Sequence, residues 1–267
     1  MEFKVSGDAC KDAYWFLFCN DELLVAENAG FINTPWICGS KMPNFTPAGA
    51  QYIGSLDGHQ CYVAKLGSKD VPPGFTFKEL RQLYSQVADE YFWFAARAFH
   101  IMHWLRNNEF CGRCGSGMQA SAEELAVECA HCRQIVYPRI SPAVIVAVIR
   151  EDKILLARSA RFPAVYSVIA GFVEPGETFE DCINRELQEE VGITVTNIKY
   201  FGNQPWPFPD SLMVAFTAQY AQGNITIDNK EIIDAGWFSA RELPSIPPKV
   251  SIARQLIDWF AKLKKPQ

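Results

Sequence analysis

Short apolar runs alternate with Gly/Pro turns through the first part of the chain, and two of them, Tyr14–Cys19 and Gln60–Leu66, predict strands. Phe77–Leu105 then reads as helical, with a turn near Ala88–Glu90. Its second half, YFWFAARAFHIMHWL, predicts a heavily buried helix, broken by Arg97, His100 and His103 and too short to span a bilayer. His100 and His103 sit at i,i+3 on that helix, where packing or an interface explains them better than a metal. From Ser141 the texture changes. Val144–Ile149 and Lys153–Ala157 predict a hairpin of buried strands, Ile169–Val173 a short strand and Thr178–Val191 a helix. Thr194–Phe201 and Leu212–Tyr220 predict two more strands. Ser251–Lys265 closes the chain as an amphipathic helix with Ile252, Leu256, Trp259, Phe260 and Leu263 on one stripe.

That alternation predicts an α/β layered domain over residues 139–267. A mixed α/β domain is expected at 1–105 and a compact cysteine-bearing insert at 106–138. No internal repeat and no low-complexity tract is visible.

Composition narrows the function classes. At 267 residues the chain suits about two domains with a small insert. With 49% apolar and 21% charged residues it is not a disordered chain. A net charge of -5 leaves no broad basic field for duplex nucleic acid. The longest clean apolar run, Ala143–Ile149, is far short of a membrane span. MEFKVSGDAC lacks the blocks of a signal peptide, and Lys264–Gln267 carries no lipidation or retention signal. A soluble protein of the cytoplasm is expected. Nine cysteines, an odd number, argue against a disulfide framework.

Four of those cysteines, Cys111, Cys114, Cys129 and Cys132, form C-x2-C-x14-C-x2-C. Two thiolates three residues apart can turn around one ion, and Gly112 and Gly115 ease the turn. Two such knuckles supply four soft ligands, which suits tetrahedral Zn2+ in a closed, structural site. A redox dithiol and buried free thiols are the competing readings. Four arginines (106, 113, 133, 139) balance four glutamates (109, 123, 124, 128) here, which weakens the case for a nucleic-acid reader.

Gly171–Ile193, GFVEPGETFEDCINRELQEEVGI, holds seven acids against one base, Arg185, and so carries -6. Glu186, Glu189 and Glu190 share one helix face. Clustered carboxylates call for a cation, and hard oxygens select Mg2+ or Mn2+. A solvated acidic face is the bland alternative. Against it, Gly171, Pro175-Gly176 and the C-terminal cap Gly192 specify loop, helix and loop together.

This segment resembles the Nudix box, G-x5-E-x7-R-E-U-x-E-E-x-G-U, through Gly171, Glu177, Arg185, Glu186, Leu187, Glu189, Glu190, Gly192 and Ile193. The resemblance implies an α/β/α Nudix sandwich and hydrolysis of a nucleoside diphosphate linked to a second moiety. It implies catalytic metal held chiefly by Glu186 and Glu190, Glu189 close by, and Glu177 and Arg185 as orienting partners.

Beyond the box lies QPWPFPDS, Gln204–Ser211, in which Pro205, Pro207 and Pro209 hold Gln204, Trp206 and Phe208 in an extended loop. Rigid aromatic faces suit stacking on a planar base; a packing loop is the alternative. With Asn203 in place of the leading serine, the segment is similar to the SQPWPFPxS motif of the NADH diphosphatase and NAD-capped RNA hydrolase branch of the Nudix family. The order of segments resembles that branch too. The resemblance implies NAD(H) or 5′ NAD-capped RNA as substrate, a homodimer, and metal contacts from the Ala170 carbonyl, Glu186, Glu190 and Glu231. It implies substrate contacts from Arg81, Glu124, Tyr137, Phe172, the segment Gln204, Pro205, Trp206, Pro207, Phe208, Pro209, Asp210, Ser211, and the main chain at Ala253. Tyr137 and Phe172 could instead be packed core aromatics, and Glu231 a surface acid. Three other readings compete: a Nudix enzyme for another dinucleotide or ADP-ribose, a zinc-ribbon binding protein with an inactive Nudix domain, and a Rossmann oxidoreductase. No G-x-G-x-x-G opens a helix after a strand, which discards the last.

Overall fold

The computed structural model describes residues 12–41, 48–121, 123–227 and 229–263. The chain divides into two compact units, Met1–Arg139 with Pro207–Pro209 and Ile140–Trp206 with Asp210–Gln267. The first unit runs β1 (Tyr14–Cys19), β2 (Glu22–Asn28), β3 (Phe31–Thr34), β4 (Ile37–Cys38), β5 (Ala48–Leu56), β6 (His59–Lys65) and β7 (Phe75–Glu79). Then come α1 (Leu80–Leu83), α2 (Asp89–Asn107) and the ribbon strands β8 (Met118–Ala120), β9 (Val127–Cys129) and β10 (Ile135–Val136). The second unit has β11 (Ser141–Arg150), β12 (Lys153–Ser159), β13 (Ile169–Phe172), α3 (Phe179–Val191), β14 (Ile193–Trp206), β15 (Ser211–Gly223), β16 (Ile232–Ser239) and α4 (Ile252–Leu263).

In the second unit six strands form one mixed sheet, β14-β15-β11-β12-β16, with β13 also on β11. β11 lies parallel to β15 and antiparallel to β12 and β13. Alternation along β11 decides the layers. Val144, Val146 and Val148 pack with Cys182, Ile183, Leu187 and Val191 of α3. Ile145, Ala147 and Ile149 pack with Ile252, Leu256, Ile257 and Phe260 of α4. A strand buried on both faces reads as a continuous apolar run, and the helices it separates make an α/β/α sandwich. Each such side chain contributes about 1.5–3 kcal/mol by leaving water.

Three expectations need correction. Phe77–Glu79 is not helical: it belongs to β7, which pairs antiparallel with β2, Leu24 opposite Phe77. Sheet pairing outweighs a local pattern that suits either element, and the long helix begins only at Asp89. QPWPFPDS is not a loop throughout, since β14 continues to Trp206, with Gln204 opposite Met213 and Trp206 opposite Ser211. Pro205 is tolerated because β14 is an edge strand and needs no donor on its outer side. Leu263 is exposed although it falls on the α4 stripe, and the expected helix end at Lys265 lies outside the described residues.

The two sheets share one plan, which is a repetition the sequence conceals. β1 and β2 correspond to β11 and β12; β4 lies on β1 as β13 lies on β11; and β6 runs parallel to β1 as β15 runs parallel to β11. β7 then borders β2 as β16 borders β12. Among the described residues no counterpart of α3 lies between β4 and β5, where residues 39–47 leave fewer positions than the 13 of α3.

Candidate active site

The acidic helix α3 is set by its ends. Thr178 accepts from the Asp181 amide at 3.1 Å, and the Asp181 carboxylate accepts from the Thr178 amide at 3.2 Å, a reciprocal capping box. At the other end Gly192 adopts φ 70°, the left-handed conformation that glycine takes without strain. Between them Cys182, Ile183, Leu187 and Val191 face the sheet, so the helix has one rotational setting. That setting lays the Glu186 carboxylate on the main chain of β13. A methyl group on Gly171 would stand 1.9 Å from the Glu186 carboxyl carbon, so any larger residue there would displace the carboxylate.

Arg185 ties this corner together. Its guanidinium donates to both Glu177 oxygens at 2.5 and 3.0 Å, to Glu186 at 2.8 Å, to Glu189 at 3.2 Å and to the Phe172 carbonyl at 2.9 Å. The bidentate pair holds the Glu177 carboxyl down to about 2, helped by the Glu174 amide. Burial pushes Glu186 the other way: desolvation raises its pKa, Arg185 opposes that, and the charges of Glu189 and Glu231 add to the rise. Glu190 is buried at 9% exposure. Glu231 is exposed just before β16, and its carbonyl accepts from the Ala160 amide at 2.8 Å. A half-buried carboxylate destabilised by neighbouring carboxylates favours a hard divalent cation, so these residues fit Mg2+ or Mn2+. Among the described residues, however, only the four cysteines gather three or more such ligand atoms within 4.8 Å of one another.

Those cysteines make the second centre. Cys111 and Cys132 sulfurs lie 3.6 Å apart, and Cys114 and Cys129 sulfurs 3.4 Å apart. Four sulfurs around zinc at ~2.3 Å would sit about 3.8 Å apart. The amides of Arg113 and Cys132 point at the Cys111 and Cys129 sulfurs, both at 3.4 Å, and the Ser116 amide draws the Cys114 thiol down to about 5. Thiolates so stabilised fit a structural Zn2+ and leave no open position.

The expected substrate contacts fall in several places. Tyr137 and Phe172 are 55% and 59% exposed, so neither is a core aromatic. The Tyr137 hydroxyl donates to Glu124 at 2.9 Å, which brings two expected contacts together and raises the tyrosine pKa. The Arg81 guanidinium lies 4.4 Å from the centre of the Phe208 ring. Both border a cleft of about 450 Å³ in the first unit, with Pro209, Phe99, His103 and Lys69 on its walls. None of the α3 glutamates lines that cleft, so the chemistry belongs with the carboxylates and not with this cleft. Trp206 and Ser211 face each other across the hairpin, and the Asp210 carbonyl accepts from the Ser141 amide at 2.8 Å. Gln204 is buried, and its amide bonds the main chain at Val250 and Ile252, beside Ala253. The Thr178–Asp181 cap was missed by sequence reasoning, though T-x-x-D before an apolar run signals it. No local signal marks the link from Gln204 to residues 250–252.

Three family descriptions match successive parts of the chain. The NUDIX domain family matches residues 139–260. The NADH pyrophosphatase-like rudimentary NUDIX domain matches residues 12–104, which accounts for the repeated strand plan. The NADH pyrophosphatase zinc ribbon domain matches residues 106–137. The chain is 42% identical over 248 residues to the NAD-capped RNA hydrolase NudC of Pseudomonas aeruginosa, covering 92% of this chain and 88% of that protein. It is 47% identical over 209 residues to the protein of the same description from Pseudomonas fluorescens, covering 78% and 76%. Among solved structures, a NUDIX hydrolase from Nitrosomonas europaea shares the fold with a TM-score of 0.51 at 21% identity, covering 58% of this chain and 92% of that one.

Proposed function

The chain belongs to the Nudix hydrolase family, in the group related to NAD-capped RNA hydrolases, and from that premise we propose that it hydrolyses the central pyrophosphate of NAD(H). The products are NMN(H) and AMP; from RNA with a 5′ NAD cap they are NMN and 5′-monophosphate RNA. The observation that carries the chemistry is the Glu186 carboxylate seated on Gly171 and gripped by Arg185. Carboxylate oxygens fixed in place beside further acids suit a divalent cation, and that cation is what a reaction between water and a charged diphosphate needs.

Glu186, Glu190, Glu231 and the Ala170 carbonyl would hold Mg2+ or Mn2+. When bound, such ions neutralise the diphosphate and lower the pKa of a coordinated water. Arg185 keeps Glu186 aligned, and Glu177 keeps Arg185 aligned. Glu190 orients the attacking water and takes its proton, with Glu189 next to it on the same face. The water oxygen bonds to phosphorus in line, the bridging P–O bond breaks, and the bridging oxygen leaves on the other phosphate. Tyr137 and Phe172 offer exposed rings for the nicotinamide, and Glu124 fixes the Tyr137 hydroxyl. Pro205–Ser211, Arg81 and the main chain at Ala253 would supply further substrate contacts, with Gln204 supporting them. Two copies of the chain form a homodimer that brings these aromatics together. A four-thiolate zinc site suits a reducing compartment, and the enzyme works in the cytoplasm. Among the described residues no helix is long and apolar enough to cross a membrane.

The test is a product assay with Mn2+ or Mg2+ on NADH, NAD+, ADP-ribose and NAD-capped RNA, run beside Glu190→Gln. We expect hydrolysis of NADH or of the capped RNA, and a loss of turnover of at least ~100-fold in the variant with zinc content unchanged. Turnover of ADP-ribose far above NADH would overturn the substrate assignment. Equal turnover by the variant would remove Glu190 from the mechanism.

A further inference from the structure

Among the described residues the buried polar side chains are Gln51, Glu190, Gln204 and Ser211, and three of these lie in the candidate site. Gln204 has partners distant in sequence. It sits near the end of edge strand β14 at 7% exposure. Its Nε2 donates to the Val250 carbonyl at 2.8 Å, and its Oε1 accepts from the Ile252 amide at 2.7 Å. Ile252 is the first residue of α4, so its N–H has no partner within the helix. The Ser251 hydroxyl accepts instead from the Arg254 amide, at 3.3 Å. One side-chain amide therefore fixes both the approach to α4 and its first turn. An apolar side chain would fill the space equally well but could bond neither group.

We propose that Gln204 is a positioning residue: it holds residues 250–253 at the head of α4, so that the main chain at Ala253 meets the dinucleotide. This rests on the function proposed above. Gln204 acts on ligand binding through the segment it holds, and it takes no part in bond breaking. Its removal therefore weakens binding while leaving turnover of bound substrate nearly intact.

Two variants test this in the full-length, zinc-loaded protein. Gln204→Met keeps length and volume and removes both hydrogen bonds. Gln204→Glu keeps the acceptor for Ile252 but, when ionised, has no donor for Val250. For NADH we expect KM to rise about tenfold in the Met variant and less in the Glu variant, with kcat within about threefold of wild type. Amide hydrogen exchange at Ile252 should quicken in the Met variant. A residue with a purely structural role would lower the melting temperature without separating KM from kcat. Unchanged KM in both variants, a fall confined to kcat, or unchanged exchange at Ile252 would each overturn the proposal. Should the Met variant not fold, the Glu variant decides by the same KM criterion. Wild-type protein that cleaves no dinucleotide is a different result: it overturns the proposed function, and this role with it.

Discussion

Replacing Gly171 by alanine isolates the geometry on which the chemistry depends. The added methyl carbon would stand 1.9 Å from the Glu186 carboxyl carbon and 2.0 and 2.4 Å from its oxygens. Ordinary contact begins near 3.4 Å, so the carboxyl carbon must retreat by about 1.5 Å. It cannot do so freely, because Arg185 holds one oxygen at 2.8 Å and is itself locked on Glu177. A displacement of ~1 Å at a reacting centre costs on the order of 100-fold in rate, so we expect kcat to fall by about that factor or more. Stability should barely change. Gly171 lies in a strand with no left-handed φ, where alanine removes backbone entropy from the unfolded chain worth about 0.4–1 kcal/mol. The assay is steady-state NADH hydrolysis under saturating Mn2+ beside a thermal melt. Activity within threefold of wild type in a folded G171A protein would refute the placement of Glu186 against β13.

Other outcomes follow from the same contacts. Glu177 has a folded pKa held below its ordinary 4.5, near 2, so the unfolded chain binds the extra proton. Its contribution is therefore complete above about 4.5 and is lost as pH falls towards 2, because stability rises with pH wherever the unfolded state is the more protonated. Urea midpoints across that window should fall more steeply for wild type than for Glu177→Gln, and parallel curves would contradict the Arg185 pairing. Stripping zinc with a selective chelator in excess Mg2+ should lower the melting temperature by about 2–4 °C for each kcal/mol lost, before it lowers turnover in the cold. Turnover that falls in step with zinc, with the melt unchanged, would show the ribbon to be catalytic.

Much of the fold and site was legible from the chain because it depends on near neighbours. The α3 face of Glu186, Glu189 and Glu190 and the stop at Gly192 are i,i+3, i,i+4 and cap relations. The two cysteine knuckles are likewise local, and their four sulfurs do converge. What stayed hidden depends on pairing between remote segments. Whether Phe77 was helix or strand was decided by β2 across the sheet, and Gln204–Trp206 became strand because β15 lay alongside. The repeated plan of the two sheets shares hydrogen-bond topology and no sequence motif, so no periodicity could disclose it. The seating of Glu186 on Gly171 and the reach of Gln204 to Ile252 each join residues that the chain alone keeps apart. Sequence by itself determined the short-range elements and the kinds of chemical group present. Only the tertiary structure decided which groups meet, because a long-range contact forms when whole faces pack and not through the preference of any one residue.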